Sequence, residues 1–253
     1  DAADRARAER RLTARRGQRA GPPGGGTLDR TEWLARRQAA VQETYDAEAP
    51  TYDEDEYPSE AQREWIGRFL REVRPGGTVL DAPCGTGKYF DMVVSAGFRV
   101  VGIDASAGML SQARARGLAV RVERARLEDI DFDAAFDGAM CVDAMENVPP
   151  EDWPPVLGNL RRCVRTGCPL YLTVEEVEES AIAEAFERLA GSGLPAVYGE
   201  VVEGDVAGYH YYPGRDRVVE WLRDAGLEIS AEGFNRVEDW GYRHFLLRAV
   251  PAD

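Results

Sequence analysis

The chain has 253 residues, enough for one well-buried domain with an appendage. Its 31 Lys+Arg against 45 Asp+Glu leave a formal net charge of −14, a field that repels nucleic acid and anionic membranes and disfavours binding to a phosphate backbone. No apolar run approaches the roughly 20 residues of a membrane span, and the N-terminus lacks the apolar core of a signal peptide.

The four cysteines, Cys84, Cys141, Cys163 and Cys168, contain no CxxC pair and read as reduced thiols rather than a zinc site. A cytoplasmic protein without a metal is expected. The charge is unevenly placed, because residues 1–40 hold 10 Arg and 5 acids. Residues 1–28, which close on Gly21-Pro22-Pro23-Gly24-Gly25-Gly26, predict a flexible tail.

Asp29 with Glu32 opens a helix whose Trp33, Leu34, Val41 and Tyr45 share a face. Ser59 with Gln62 opens a second helix carrying Trp65, Ile66, Phe69, Leu70 and Val73, stopped by Pro75-Gly76-Gly77. From residue 77 to about 250, short β-rich runs alternate with helical stretches. Strands are predicted at Thr78–Asp81, Arg99–Asp104, Leu118–Val122, Gly138–Val142 and Leu170–Val174, with helices near 87–96, 106–116, 151–165 and 178–190. An insertion over about 192–213 precedes an amphipathic helix at 215–225. Strands at 227–232 and 242–249 follow with no helix between them and should be antiparallel neighbours at the sheet edge. The pattern is that of an α/β fold with a doubly wound, mostly parallel sheet.

The first strand runs into Asp81-Ala82-Pro83-Cys84-Gly85-Thr86-Gly87-Lys88-Tyr89-Phe90, where Gly85 and Gly87 let a ligand approach the backbone. A Walker loop is disfavoured because Ala82 and Tyr89 stand where it needs Gly and Ser/Thr. A dinucleotide fingerprint is disfavoured by Phe90 at its third glycine, a ring expected to obstruct helix–strand packing. S-adenosylmethionine (SAM) has no phosphates and suits the turn better. Asp81 would then attract its ammonium group, Asp104 would accept its ribose hydroxyls, and Asp129 would reach its adenine amino group.

With these three segments in order, the chain resembles the class I SAM-dependent methyltransferases. The matching pieces are the glycine turn at 81–87, Val101-Gly102-Ile103-Asp104-Ala105-Ser106, Leu127-Glu128-Asp129 and Phe136-Asp137-Gly138-Ala139-Met140-Cys141-Val142-Asp143. The resemblance implies a Rossmann-like seven-stranded sheet with an antiparallel final strand, and an N-terminal helical lid at 29–76. It implies cofactor contacts from Tyr52, Asp81, Gly85, Gly87, Asp104, Ala105, Met109, Glu128, Asp129 and Cys141. A small-molecule acceptor would meet Tyr45, Tyr198, Tyr209 and Tyr211.

Where the family often has His-His after the fourth strand, this chain has Glu146-Asn147. Glu146 and His210 are the candidate bases, against the plainer readings of a helix-entry acid and a packed aromatic loop. Asp104 is also placed to cap a helix, Asp81 to close a turn, Tyr45 to pack in the core and Lys88 to begin an exposed helix face. Glu200, Glu203 and Asp205 hint at an amine acceptor. The rival readings are an NAD-dependent oxidoreductase on a similar sheet and a SAM-binding partner protein without catalysis.

Overall fold

The computed structural model describes residues 29–54, 58–118, 120–203, 208–237 and 240–251; the basic tail expected over 1–28 lies outside the described residues. Helix α1 (Arg30–Glu48) begins where the Asp29 carboxylate accepts the Thr31 N–H at 3.1 Å. Helix α2 (Glu60–Glu72) begins at a reciprocal capping box between Ser59 and Gln62. The strands are β1 (Thr78–Asp81), β2 (Arg99–Asp104), β3 (Arg121–Arg124), β4 (Gly138–Cys141), β5 (Pro169–Val177), β6 (Glu200–Glu203), β7 (Gly208–Tyr211), β8 (Leu227–Val237) and β9 (Trp240–Ala249). Between them lie α3 (Phe90–Ser95), α4 (Ala107–Ala115), α5 (Trp153–Cys163), α6 (Glu179–Gly191) and α7 (Arg215–Asp224).

Seven strands form one sheet in the order β3-β2-β1-β4-β5-β9-β8. β9 alone runs against its neighbours, pairing antiparallel with both β5 and β8. The expected final hairpin is present, but β9 sits inside the sheet and β8 alone of the pair lies at its edge. Strand alternation divides the core between two faces. Val79, Val100, Met140, Tyr171 and Leu246 pack under α2, α3 and α4, whereas Leu80, Ile103, Ala139, Leu172 and Phe245 pack under α5 and α7. The chain winds outward from β1 to β3 and then returns to β4 on the other side of β1. This leaves a crevice at the carboxyl ends of β1 and β4, where open α/β sheets bind ligands.

Five boundaries stand out against the sequence pattern. β3 begins at Arg121 rather than Leu118, and Leu118 and Val120 instead pack against the core beside the edge strand. α3 begins at Phe90 rather than 87, because Gly87 holds a φ of 74° that no helix accepts. β5, β8 and β9 run longer than expected, paired through Val177, Val237 and Trp240. The insertion folds as a two-stranded sheet, with Glu200 opposite Tyr211 and Val201 opposite His210. No helix among the described residues is long and apolar enough to cross a membrane.

His244 on β9 is fully buried and stacked on Trp65 at 5.3 Å, and its Nδ1 accepts the Tyr171 hydroxyl at 2.8 Å. Burial pushes its pKa down to about 4. The unfolded chain takes up this proton near pH 6.5, before the native ring does, so stability present above pH 6.5 drains away toward pH 4. The loss amounts to about 3 kcal/mol. Urea melts at pH 7 and 4.5 should show that loss in the native protein and a shallower one in His244→Gln; equal slopes would remove His244 as its source.

Candidate active site

At the crevice the β1 turn is drawn against β2 by backbone bonds. The Cys84 N–H reaches the Ile103 carbonyl at 2.8 Å, and the Gly85 N–H reaches Asp104 Oδ2 at 2.9 Å. Asp104 Oδ1 accepts the Ser106 N–H at 2.8 Å, while Ser106 itself caps α4 through the Met109 N–H. Asp104 is therefore not the helix cap; its carboxylate joins the glycine turn to the start of α4. Burial raises its pKa, and the N–H bonds from Ser106 and Gly85 oppose that rise.

Asp81 closes β1 fully buried, and neither of its carboxylate oxygens has a hydrogen-bond partner among the described residues. Burial pushes its carboxyl well above the usual range; the charge of Asp104 adds to this and Lys88 opposes it. An orphaned acid beside a glycine turn is a place for a cation. Phe90 does not obstruct the helix–strand contact as expected. Its ring lies where a Cβ on Gly87 or Gly102 would come within 2.7 Å of it, so two glycines make its room.

Above the turn lies a cavity of about 380 Å³, within the size range of small-ligand sites. The strand ends contribute Gly85, Asp104, Ala105, Met109, Glu128, Val142 and Asp143, and α1 closes the opposite side with Ala35, Gln38, Ala39, Gln42 and Tyr45. Its charged lining is Asp104, Glu128 and Asp143 against Lys88 and Arg126. That set suits a ligand with excess positive charge better than a diphosphate.

Helix α1 is held over this opening from both ends. At its C-terminal end, Asp46 accepts the Ser106 hydroxyl at 2.6 Å and the Gly108 N–H at 2.8 Å. A Cβ on Gly108 would meet the Asp46 carbonyl at 2.7 Å, so the approach needs glycine there. At its start, Arg30 pairs with Glu151 and Glu200, and the buried Trp33 ring packs edge-on to Tyr209 at 5.9 Å. Beyond α1, Asp53 accepts the Thr86 hydroxyl at 2.7 Å and pairs with Arg116. The Lys88 ammonium sits 4.6 Å above the Tyr52 ring. Lys88 therefore lines the cavity instead of starting an exposed helix face.

Of the residues singled out from sequence, Tyr45, Tyr52, Gly85, Asp104, Ala105, Met109 and Glu128 line the cavity. Asp81, Gly87, Asp129, Cys141, Glu146 and His210 do not. Glu146 is buried in the short turn Met145–Asn147, and the His210 ring stacks on Tyr212 at 6.0 Å. Tyr209 and Tyr211 share the inward face of β7, where Tyr209 donates to Glu200 at 2.8 Å and Tyr211 packs on Trp153. Tyr198 is half exposed and bonded to Glu179. Glu200 is fully buried between Arg30 and Tyr209, while the Glu203 side chain and Asp205 lie outside the described residues.

Sequence reasoning missed Gln38, Gln42 and Asp143. The first two carried a signal, since residues 35, 38, 39, 42 and 45 fall on one helical stripe that is small or uncharged in an otherwise charged helix. Asp143 carried none. It lies at φ 53° just beyond β4, where its carboxylate accepts the buried Gln62 amide at 3.0 Å and its own N–H donates to the Thr173 hydroxyl. A non-glycine residue held in this conformation by two partners is a frequent feature of ligand sites.

Comparison with known proteins gives the family. A methyltransferase domain model matches residues 79–167. The chain is 32% identical over 213 residues to a demethylmenaquinone methyltransferase of Symbiobacterium thermophilum, covering 74% of this chain and 84% of that one. The chain belongs to the class I SAM-dependent methyltransferases. The chain is also 31% identical over 128 residues to a malonyl-[acyl-carrier protein] O-methyltransferase of Pectobacterium atrosepticum, spanning about half (49%) of that relative's length. In fold it resembles a 1,6-didemethyltoxoflavin-N1-methyltransferase of Burkholderia thailandensis, solved with its substrate and S-adenosylhomocysteine. That match has a TM-score of 0.65 at 18% identity and covers 91% of this chain and 95% of that one. The cofactor of the family is SAM, and the orphaned Asp81, the open glycine turn and the charge balance of the cavity fit it.

Proposed function

We propose that the chain transfers a methyl group from SAM to a small-molecule nucleophile bound between α1 and the end of β4. The observation that carries this reading is the single cavity that joins the glycine turn and Asp104 on one side to the uncharged stripe of α1 on the other. When bound, SAM supplies an electrophilic methyl group on a positively charged sulfur. Asp104 would hold the ribose hydroxyls, Asp81 would ionise beside the ammonium, and the turn around Glu128 would meet the adenine. α1 and the Asp53–Thr86 contact would exclude water and hold the acceptor in line.

The relatives are named for a quinone precursor and a malonyl-acyl carrier, which supports a small acceptor. An amine draws support only from the acidity of the chain. Glu146 and His210 stand back from the cavity, so Asp143 is the carboxylate best placed to take a proton from an acceptor that arrives protonated. The four cysteines are free, in keeping with a reducing cytoplasm.

Calorimetric titration of SAM, S-adenosylhomocysteine and NAD into the full chain tests the reading. Micromolar binding of the first two and none of NAD is expected; binding of NAD alone would overturn it. Slow loss of the methyl group to water on incubation with radiolabelled SAM would argue against a merely structural cofactor.

A further inference from the structure

The two sides of the cavity differ in kind. The strand-end side carries the charged residues, Asp143 just beyond β4 among them, whereas α1 contributes Ala35, Gln38, Ala39, Val41, Gln42 and Tyr45, with Asn147 beside Tyr45. We propose that this uncharged side is a subsite for a neutral, planar-ring acceptor bearing both a hydrogen-bond donor and an acceptor. The assignment rests on the methyltransferase reading above and adds the substrate class to it.

The argument starts from α1. The helix carries Arg30, Glu32, Arg36, Arg37, Glu43, Asp46 and Glu48 elsewhere on its surface, yet its contribution to the cavity is two alanines, a valine, two glutamines and a tyrosine. Alanine at 35 and 39 leaves depth for a ligand beneath the helix. A glutamine amide offers one donor group and one acceptor without charge, which matches ring hydroxyls, carbonyls and ring nitrogens. Gln38 spends part of this capacity on Asp152 at 3.3 Å. Gln42, half-buried, makes no hydrogen bond among the described residues.

The aromatic walls add the shape preference. Tyr45 and Tyr52 both line the cavity with their rings edge-to-face at 6.0 Å, and Asn147 lies 3.4 Å from the Tyr45 hydroxyl. A flat ring gains stacking area against such a pair, and its polar edge finds amides on two sides. Over the α1 stripe a charged acceptor would exchange its hydration for two amides, apolar side chains and two rings, so a neutral one loses less on binding there.

The test uses three two-ring probes of similar size titrated into the full chain saturated with S-adenosylhomocysteine: 2-naphthol, 2-naphthylmethylamine and 2-naphthoate. The neutral probe should bind at least about tenfold tighter than either charged one. Gln42→Glu should move the preference toward the amine by about tenfold, and Gln42→Lys should move it toward the carboxylate. A preference for either charged probe, or equal weak binding of all three to a chain that binds S-adenosylhomocysteine, overturns the subsite and leaves the cofactor reading intact. Failure to bind S-adenosylhomocysteine overturns that reading, and the subsite with it.

Discussion

Asp104→Asn should weaken S-adenosylhomocysteine binding by about 10- to 100-fold, the worth of one or two hydrogen bonds to a charged group. The carboxylate faces two ways: it accepts the N–H groups of Gly85 and Ser106, and it stands on the cavity wall. An amide keeps the shape but turns a donor toward one of those N–H groups, so the glycine turn is pushed from β2 as the ribose contact is lost. Calorimetry at a temperature well below the melting midpoint reads the binding term, and a thermal melt reads the turn. A lowered melting temperature with unchanged affinity would mean that Asp104 only braces the turn.

Trp33→Ala should release α1. The ring is 1% exposed, packs edge-on to Tyr209 and has the Arg30 and Arg37 guanidinium groups within 6 Å of its centre. Removing a buried Trp costs about 3–5 kcal/mol. The loss falls mainly on the contact between α1 and β7, because Leu80, Ile103, Leu172 and Phe245, though in the same buried cluster, stay covered by α5 and α7. Trypsin should then cut at Arg36 or Arg37 sooner, and methyl transfer should fall by about tenfold or more as water enters the cavity. The far-ultraviolet circular dichroism of the sheet should persist. Full activity with α1 cleaved would show that the helix is not a wall of the site.

Much of the cofactor side was legible from local chemistry. The strand ending at Asp81, the turn around Gly85 and Gly87, and the strand ending at Asp104 are short-range features, and each residue's place in them follows from neighbours a few positions away. Asp104 then lines the cavity because the parallel pairing of β1 and β2 sets their ends side by side. Phe90 was misjudged because its room is made partly by Gly102, a residue on another strand.

The α1 side of the cavity was less legible, since it is assembled from elements far apart in the chain. Tyr209 and Tyr211 are aromatic residues in a loop-like insertion by sequence, yet once β7 pairs with β6 the twofold period turns both inward against Trp33 and Trp153. Asp143 gains its place from Gln62 on α2 and Thr173 on β5, neither of which its own segment reveals.

The sequence by itself determined the fold class, the strand and helix order outside the insertion that forms β6 and β7, the helix caps at Asp29 and Ser59 and the glycine turn, because these depend on periodicity and on contacts within a few residues. Only the tertiary structure decided which stripe of α1 faces the ligand, that Glu200 is spent on Arg30 and Tyr209, and that Gln42 lines the cavity without a hydrogen-bond partner among the described residues. Such outcomes depend on which surfaces meet when helix and sheet pack. That choice is made by the burial of Trp33 and the close approach at Gly108, long-range contacts that no local pattern encodes.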